Sequence, residues 1–296
     1  MSSLPPPTVE PQTEPRSRAT EGQRAIPGAS KANTLKGKLG AIGAFFVAVG
    51  KFLLPAVKFL KGAKFLLTGI SMLASIWFYS TQFGWPLAVL FVLGILVHEM
   101  GHVGTAAYLG LPVSAPLFIP GFGALITLKR NTKSAWESAF VGIGGPIAGA
   151  TAGMIFWGTY LVTGSGLFLV AAFFTFLINL FNMIPLFPLD GGRIVGAVSP
   201  YLWLIGFAAL IVGALKGYVP GFLLIILLIF SAPQIWSSLK RGTADPVGGL
   251  KTTKTQSIVM GLAYLALSGM LFGSMEFAAT ELQHLQKTSK SVAQPV

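Results

Sequence analysis

The chain has 296 residues, 53% of them hydrophobic and 10% charged, with a mean hydropathy of +0.72 and a formal net charge of +12. A soluble domain carries about 25% charged residues. This composition therefore excludes a water-soluble globular enzyme and a disordered chain, and leaves a polytopic membrane protein whose helices satisfy their own backbone in lipid.

Residues 1–35 are rich in Pro, Ser, Thr and Gln and read as a disordered cytoplasmic tail. The first apolar stretch starts near Leu39, so no signal peptide is expected. Residues 36–64 mix apolar runs with Lys51, Lys58, Lys61 and Lys64, and Pro55 interrupts them. A basic amphipathic segment on the cytoplasmic leaflet fits best. Residues 1–64 hold ten Lys/Arg and three Glu, a net of +7. These cations flank apolar segments, so anionic headgroups explain them better than nucleic acid, which is not an expected partner.

Apolar stretches at 65–81, 85–108, 138–162, 166–185, 201–216, 219–237 and 256–276 read as membrane spans. The expected fold is an all-α polytopic membrane protein with about six to seven transmembrane helices. The pair at 201–237 reads as a hairpin or as one re-entrant unit. The connections 109–137, 186–200 and 238–255 all carry Lys or Arg. Placing them in the cytoplasm gives a consistent alternation with the N-terminus inside. Within the first, Pro112 to Leu128 holds the turn signal Pro120-Gly121-Phe122-Gly123 between short apolar stretches. It predicts a small membrane-associated β-hairpin. The organisation expected is a tail (1–35), an interfacial segment (36–64), a core (65–200), accessory helices (201–276) and a polar tail (277–296).

Cysteine is absent, which removes disulfides, thiolate metal sites and cysteine nucleophiles. A metal site must then draw on three His, two Asp and seven Glu. His98-Glu99-Met100-Gly101-His102 is an H-E-x-x-H match inside a predicted helix. From this chain's own His and Glu frequencies, such a match arises by chance about once in 1,000 such chains. The two imidazoles lie one turn apart on one face and can take two positions on one zinc ion. Glu99, rotated from them, is placed to act as general base toward water. Polar groups at the end of an apolar run cost a few kcal/mol each unless partnered, so they read as functional.

A catalytic zinc needs a third protein ligand. His284 falls in the polar tail and Asp245 in a basic loop, which leaves Asp190 as the strong candidate. It sits in Asn182-Met-Ile-Pro185-Leu-Phe-Pro188-Leu-Asp190-Gly191-Gly192-Arg193. The prolines should end or unwind the preceding helix, and the glycines permit close or left-handed backbone. The plain alternative is a solvated Asp–Arg pair at a helix end.

Together these motifs resemble the site-2 protease family of intramembrane zinc metalloproteases, whose pattern is H-E-x-x-H on one helix and N-x-x-P-x-x-P-L-D-G on a later one. The resemblance covers about residues 85–195. It implies one zinc ion per chain on His98, His102 and Asp190, with Glu99 as general base. It further implies that Asn182 binds the substrate peptide or the developing oxyanion. The activity implied is hydrolysis of peptide bonds in or near transmembrane segments of membrane-spanning protein substrates, within regulated intramembrane proteolysis. The location implied is a bacterial cytoplasmic membrane. Asn179, at i−3 from Asn182, reads either as a supporting hydrogen-bond group or as a packing contact. Gly142-Ile-Gly144-Gly145-Pro146 is expected to open the helix at 138–162, with Gly145, Gly149 and Gly153 allowing close helix approach. The rival reading is a non-catalytic transporter or metal-binding membrane protein; it would call for inverted repeats or a chain of midplane carboxylates, and neither is visible.

Overall fold

The computed structural model describes residues 63–217, 221–246 and 249–293. The expected tail at 1–35 and all but the last two residues of the expected interfacial segment lie outside the described residues. In chain order the elements are α1 (Ala63–Phe83), α2 (Trp85–Tyr108), β1 (Leu117–Ile119), β2 (Gly123–Leu125), α3 (Ala135–Thr163), α4 (Gly166–Asn182), α5 (Asp190–Gly196), α6 (Leu202–Leu215), α7 (Gly221–Arg241) and α8 (Lys254–Ala293). A helix stands at each predicted span. Among the described residues, three are by length and composition long and apolar enough to cross a membrane: Trp85–Tyr108, Ala135–Thr163 and Lys254–Thr288. Gly166–Asn182 and Leu202–Leu215 are shorter apolar helices.

Local sequence sets the helix ends. Gly84 takes φ 79° between α1 and α2, and Pro86 follows in the first turn of α2, where its missing N–H costs nothing. Ser134 caps α3 by accepting from the Glu137 amide, and Gly164, at φ 67°, closes the other end. α3 thus begins at Ala135, so Gly142–Pro146 lies in its interior and not at its start. The cap at Ser134, together with a distant carboxylate on the Ala135 amide (below), extends the helix past the predicted boundary.

α2, α3 and α4 pack side by side at the centre. Small residues permit this. A side chain on Gly101 would strike the Gly144 carbonyl, and one on Gly153 would strike the Phe176 ring. The expectation that the α3 glycines serve close packing holds. On the α1 side, Tyr79 meets Phe91 edge-on at 4.9 Å between ring centroids, and Phe83 stacks on Phe174 at 5.7 Å. α8 lies across α3, α4 and α5.

The predicted hairpin is present as a two-stranded antiparallel sheet in which Leu117, Phe118 and Ile119 pair with Leu125, Ala124 and Gly123. Gly121 and Gly123 take φ 82° and 98°, as the turn needs. α1 anchors it: the Thr68 hydroxyl donates to the Pro116 carbonyl at 2.7 Å, and the Phe118 amide donates to Ser71 Oγ at 3.2 Å.

Candidate metal centre

α4 stops at Asn182, and the chain makes an irregular turn through Pro185 and Pro188 before Asp190 opens the short helix α5. Gly191 and Gly192 press against the Met183–Phe187 backbone, where any side chain would collide. Close approach, not left-handed backbone, is what these glycines supply. Two anchors hold the turn. Tyr264 of α8 donates to the Met183 carbonyl at 2.7 Å, and Trp203 Nε1 donates to the Gly192 carbonyl at 2.7 Å. This delivers Asp190 to the face of α2 that carries His98 and His102.

The three side chains converge. His98 Nε2 lies 3.0 Å from Asp190 Oδ2, His102 Nε2 lies 3.2 Å from the same oxygen, and the two Nε2 atoms are 3.1 Å apart. All three residues are buried, at 5–9% exposure. Their donor atoms form the one group of three or more His, Cys, Asp or Glu side chains able to hold a metal ion among the described residues.

The tautomers follow from what stands behind each ring. Asn179 Nδ2 donates to the Thr175 carbonyl at 2.7 Å, which turns Oδ1 toward His98 Nδ1, 2.7 Å away. His102 Nδ1 lies 2.8 Å from the Val141 carbonyl. Both partners accept only, so both Nδ1 atoms carry a proton, and each ring, when neutral, turns its Nε2 lone pair toward the Asp190 carboxylate. Two such lone pairs and an anion packed together in a buried space repel unless a proton or a metal cation lies between them. Bonds of about 2.0–2.1 Å to a tetrahedral zinc put neighbouring donors about 3.3 Å apart. The observed separations of 3.0–3.2 Å fit that spacing. The donor set suits zinc, which accepts imidazole and carboxylate together.

Glu99 is buried at 5% exposure beside this cluster, and its carboxylate accepts no hydrogen bond from another described residue. Gly145 forms the wall opposite the histidines; a Cβ there would run into both Nε2 atoms. A Cβ on Gly149 would likewise strike the Asn179 amide. Of the residues singled out from sequence, His98, His102, Asp190 and Glu99 come together. Asn182 is half-buried at the end of α4, with no side-chain hydrogen bond to another described residue. Asn179, left open between support and packing, is the hydrogen-bond partner of His98. The Val141 carbonyl and Gly145 were not legible as site groups: a backbone acceptor has no residue signature, and Gly145 sat in a stripe read for packing.

Asp245 is the second buried aspartate, at 9% exposure. Its oxygens accept from the Ala135 amide (2.7 Å), the Thr252 hydroxyl and amide (2.7 and 3.0 Å) and the Thr243 hydroxyl (3.1 Å). Burial pushes its pKa up, but the hydrogen bonds from Ala135, Thr252 and Thr243 outweigh burial and hold it below 3.8. It fastens the loop between α7 and α8 to the start of α3.

A mostly helical, apolar protein thus carries a buried His-His-Asp cluster able to hold a metal ion, with its two histidines on an H-E-x-x-H helix. Residues 86–166 match the family profile of peptidase family M50 and are similar to it. The match includes the H-E-x-x-H helix and the glycine-rich α3. The chain is also similar to curated proteins. It is 31% identical over 117 residues to a putative zinc metalloprotease of Synechocystis, covering 38% of this chain and 30% of that protein. It is 29% identical over 119 residues to a zinc metalloprotease of Methanocaldococcus jannaschii, covering 38% and 34%. It is 34% identical over 77 residues to a probable chloroplastic zinc metalloprotease of Arabidopsis thaliana, covering 24% and 14%. The aligned segments span about a third or less of these relatives' own length.

Proposed function

We propose that this chain is an intramembrane zinc metalloprotease that hydrolyses peptide bonds in or near transmembrane segments of other membrane proteins. The observation that carries the reading is the convergence of two imidazole Nε2 atoms and one carboxylate oxygen, 3.0–3.2 Å apart, beside the buried Glu99. The family match and the relatives named as zinc metalloproteases support it. His98, His102 and Asp190 would hold the zinc. Bound there, zinc would supply Lewis acidity toward the scissile carbonyl and toward water. Glu99 takes the proton from the attacking water and returns it to the leaving amine. Asn179 and Val141 keep both rings aimed at the centre. Asn182, at the end of α4, binds the substrate peptide or the oxyanion.

The chain would cross the membrane six to seven times with its N-terminus in the cytoplasm, as the basic connections imply. His98 then lies about 20 Å along α2 from Trp85, roughly 10 Å from the cytoplasmic boundary of a 30 Å core. Water enters from that side, past the hairpin. A substrate helix must unwind before its backbone is reachable, and an exposed strand edge can capture the unwound segment. α1 engages β1 through Ser71, and the strand ladder of the hairpin holds β1 and β2 alone among the described residues.

The test is cleavage of a single-pass substrate by the purified full chain and by Glu99→Gln. Cleavage by the wild type and none by a zinc-loaded Glu99→Gln is expected. Equal cleavage by both would overturn the assignment of the base.

A further inference from the structure

A groove of about 430 Å³ opens on the surface between α2 and α3, lined by Gly104, Thr105, Tyr108, Leu109, Trp136 and Phe140. It begins two residues beyond His102 on the same helix. Its rim is aromatic: Phe140 lies 5.9 Å from Tyr108 and 6.2 Å from Trp136 between ring centroids. Nothing lies within 4 Å of where a Cβ on Gly104 would be, so the groove floor is open space. Aromatic residues of this kind mark the headgroup level of a bilayer.

Beside the groove stands a basic cluster assembled from two loops. Lys129, Arg130 and Lys133 are exposed just ahead of Trp136. The Leu250 amide donates to the Lys133 carbonyl at 2.7 Å, and the Trp136 amide donates to the Thr252 hydroxyl at 3.1 Å. These bonds bring the exposed Lys251 and Lys254 to the same end of α3. Among the described residues none of the five cations makes an ion pair. Of the acidic residues there, Asp245 is saturated by its own donors, and Glu137 accepts from the Lys133 amide at 2.7 Å.

We infer that this groove and cluster form a binding site for one anionic phospholipid. The acyl chain lies along Gly104, Tyr108 and Phe140, and the phosphate sits among Arg130, Lys133 and Lys251. Charge complementarity selects the occupant: an apolar slot at headgroup depth, closed by unpaired cations, matches an anionic lipid. The site rests on the membrane embedding of α2 and α3, not on the protease activity.

The experiment is native mass spectrometry of the full chain in detergent, titrated with phosphatidylglycerol or phosphatidylcholine. Each basic residue at an anionic surface contributes about fivefold in affinity. The wild type should retain one phosphatidylglycerol, preferred over phosphatidylcholine by at least about tenfold, with inorganic phosphate failing to compete. The triple variant Arg130→Gln, Lys133→Gln, Lys251→Gln should lose the preference. Gly104→Leu fills the slot and should lose the lipid. Zinc content, read on the same samples, reports folding and the metal centre separately. Equal retention of the two lipids by a zinc-loaded wild type overturns the proposal and leaves the protease reading intact. Competition by inorganic phosphate overturns it in favour of a free-anion site. Unchanged lipid retention by Gly104→Leu overturns it too and leaves the groove to a protein helix.

Discussion

The two aspartates of the chain occupy two regions with opposite logic. Both are buried to the same 9% exposure. Asp245, in the loop after α7, is surrounded by N–H and O–H donors from Ala135, Thr243 and Thr252. Its charge is fully met by the protein, and its work is mechanical. Asp190, at the start of α5, faces two imidazole nitrogens whose protons are held on the far side of each ring. Its charge is met by a proton on those nitrogens or by a metal ion held between them. Burial alone does not distinguish a structural carboxylate from a ligand; the protonation of its neighbours does.

The sharpest break in this comparison is Asp190→Ala. It should lower zinc from about one per chain to near zero and abolish cleavage, because two histidines alone leave the site open. Elemental analysis with a cleavage assay reads both. Asp245→Ala should leave zinc near one per chain.

Next comes Gly145→Ala. Its added methyl would meet His98 and His102 Nε2. Zinc binding should fall severely while helix content by circular dichroism stays unchanged. Normal zinc in this variant would show that the histidines stand farther from α3 than the structure has them.

Asn179→Ala sharpens the comparison from behind the ring. It removes the acceptor that holds the His98 proton on Nδ1. Partners of metal-bound histidines contribute about 10- to 100-fold in metal affinity. Competition with a chelator should show a loss in that range, with activity restored at high zinc. Asp245→Ala should show no such loss.

Asp245→Ala instead strands the Ala135 amide and the Thr252 donors. Unmet buried donors and a lost helix cap cost about 1–3 kcal/mol. The thermal midpoint should drop by a few degrees in the full chain.

The smallest effect is on pH. The folded pKa of Asp245 is held below 3.8, so its stabilisation is present above that unfolded value and is lost as pH falls through the folded one. The stability gap between wild type and Asp245→Asn should be constant at neutral pH and shrink only below about pH 4. A gap that closes already near pH 6 would point to another group.

Much of this was legible in the sequence, for reasons that differ by element. The H-E-x-x-H helix is local: spacing and an apolar context place two imidazoles on one face, and α2 spans the predicted 85–108. The hairpin was legible because Pro120-Gly121-Phe122-Gly123 encodes its turn. Asp190 was reached by elimination in a chain with few candidate ligands. What escaped is what depends on distant contacts. Asp245 bonds Ala135 across 110 positions, and no local pattern announces that. The same bond explains why α3 begins before its predicted start. Val141 contributes only a carbonyl. The helix from Lys254 runs on to Ala293, through the stretch read as a polar tail from 277. Helix continuity there does not need apolar residues once the span is nucleated.

The central claim is that His98, His102 and Asp190 form a zinc site. Its most direct test is the zinc content of the full chain purified in detergent, beside the double variant His98→Ala, His102→Ala. The account predicts about one zinc per chain in the wild type and none in the double variant. Equal zinc in the two proteins, or none in a folded wild type given zinc, would contradict it.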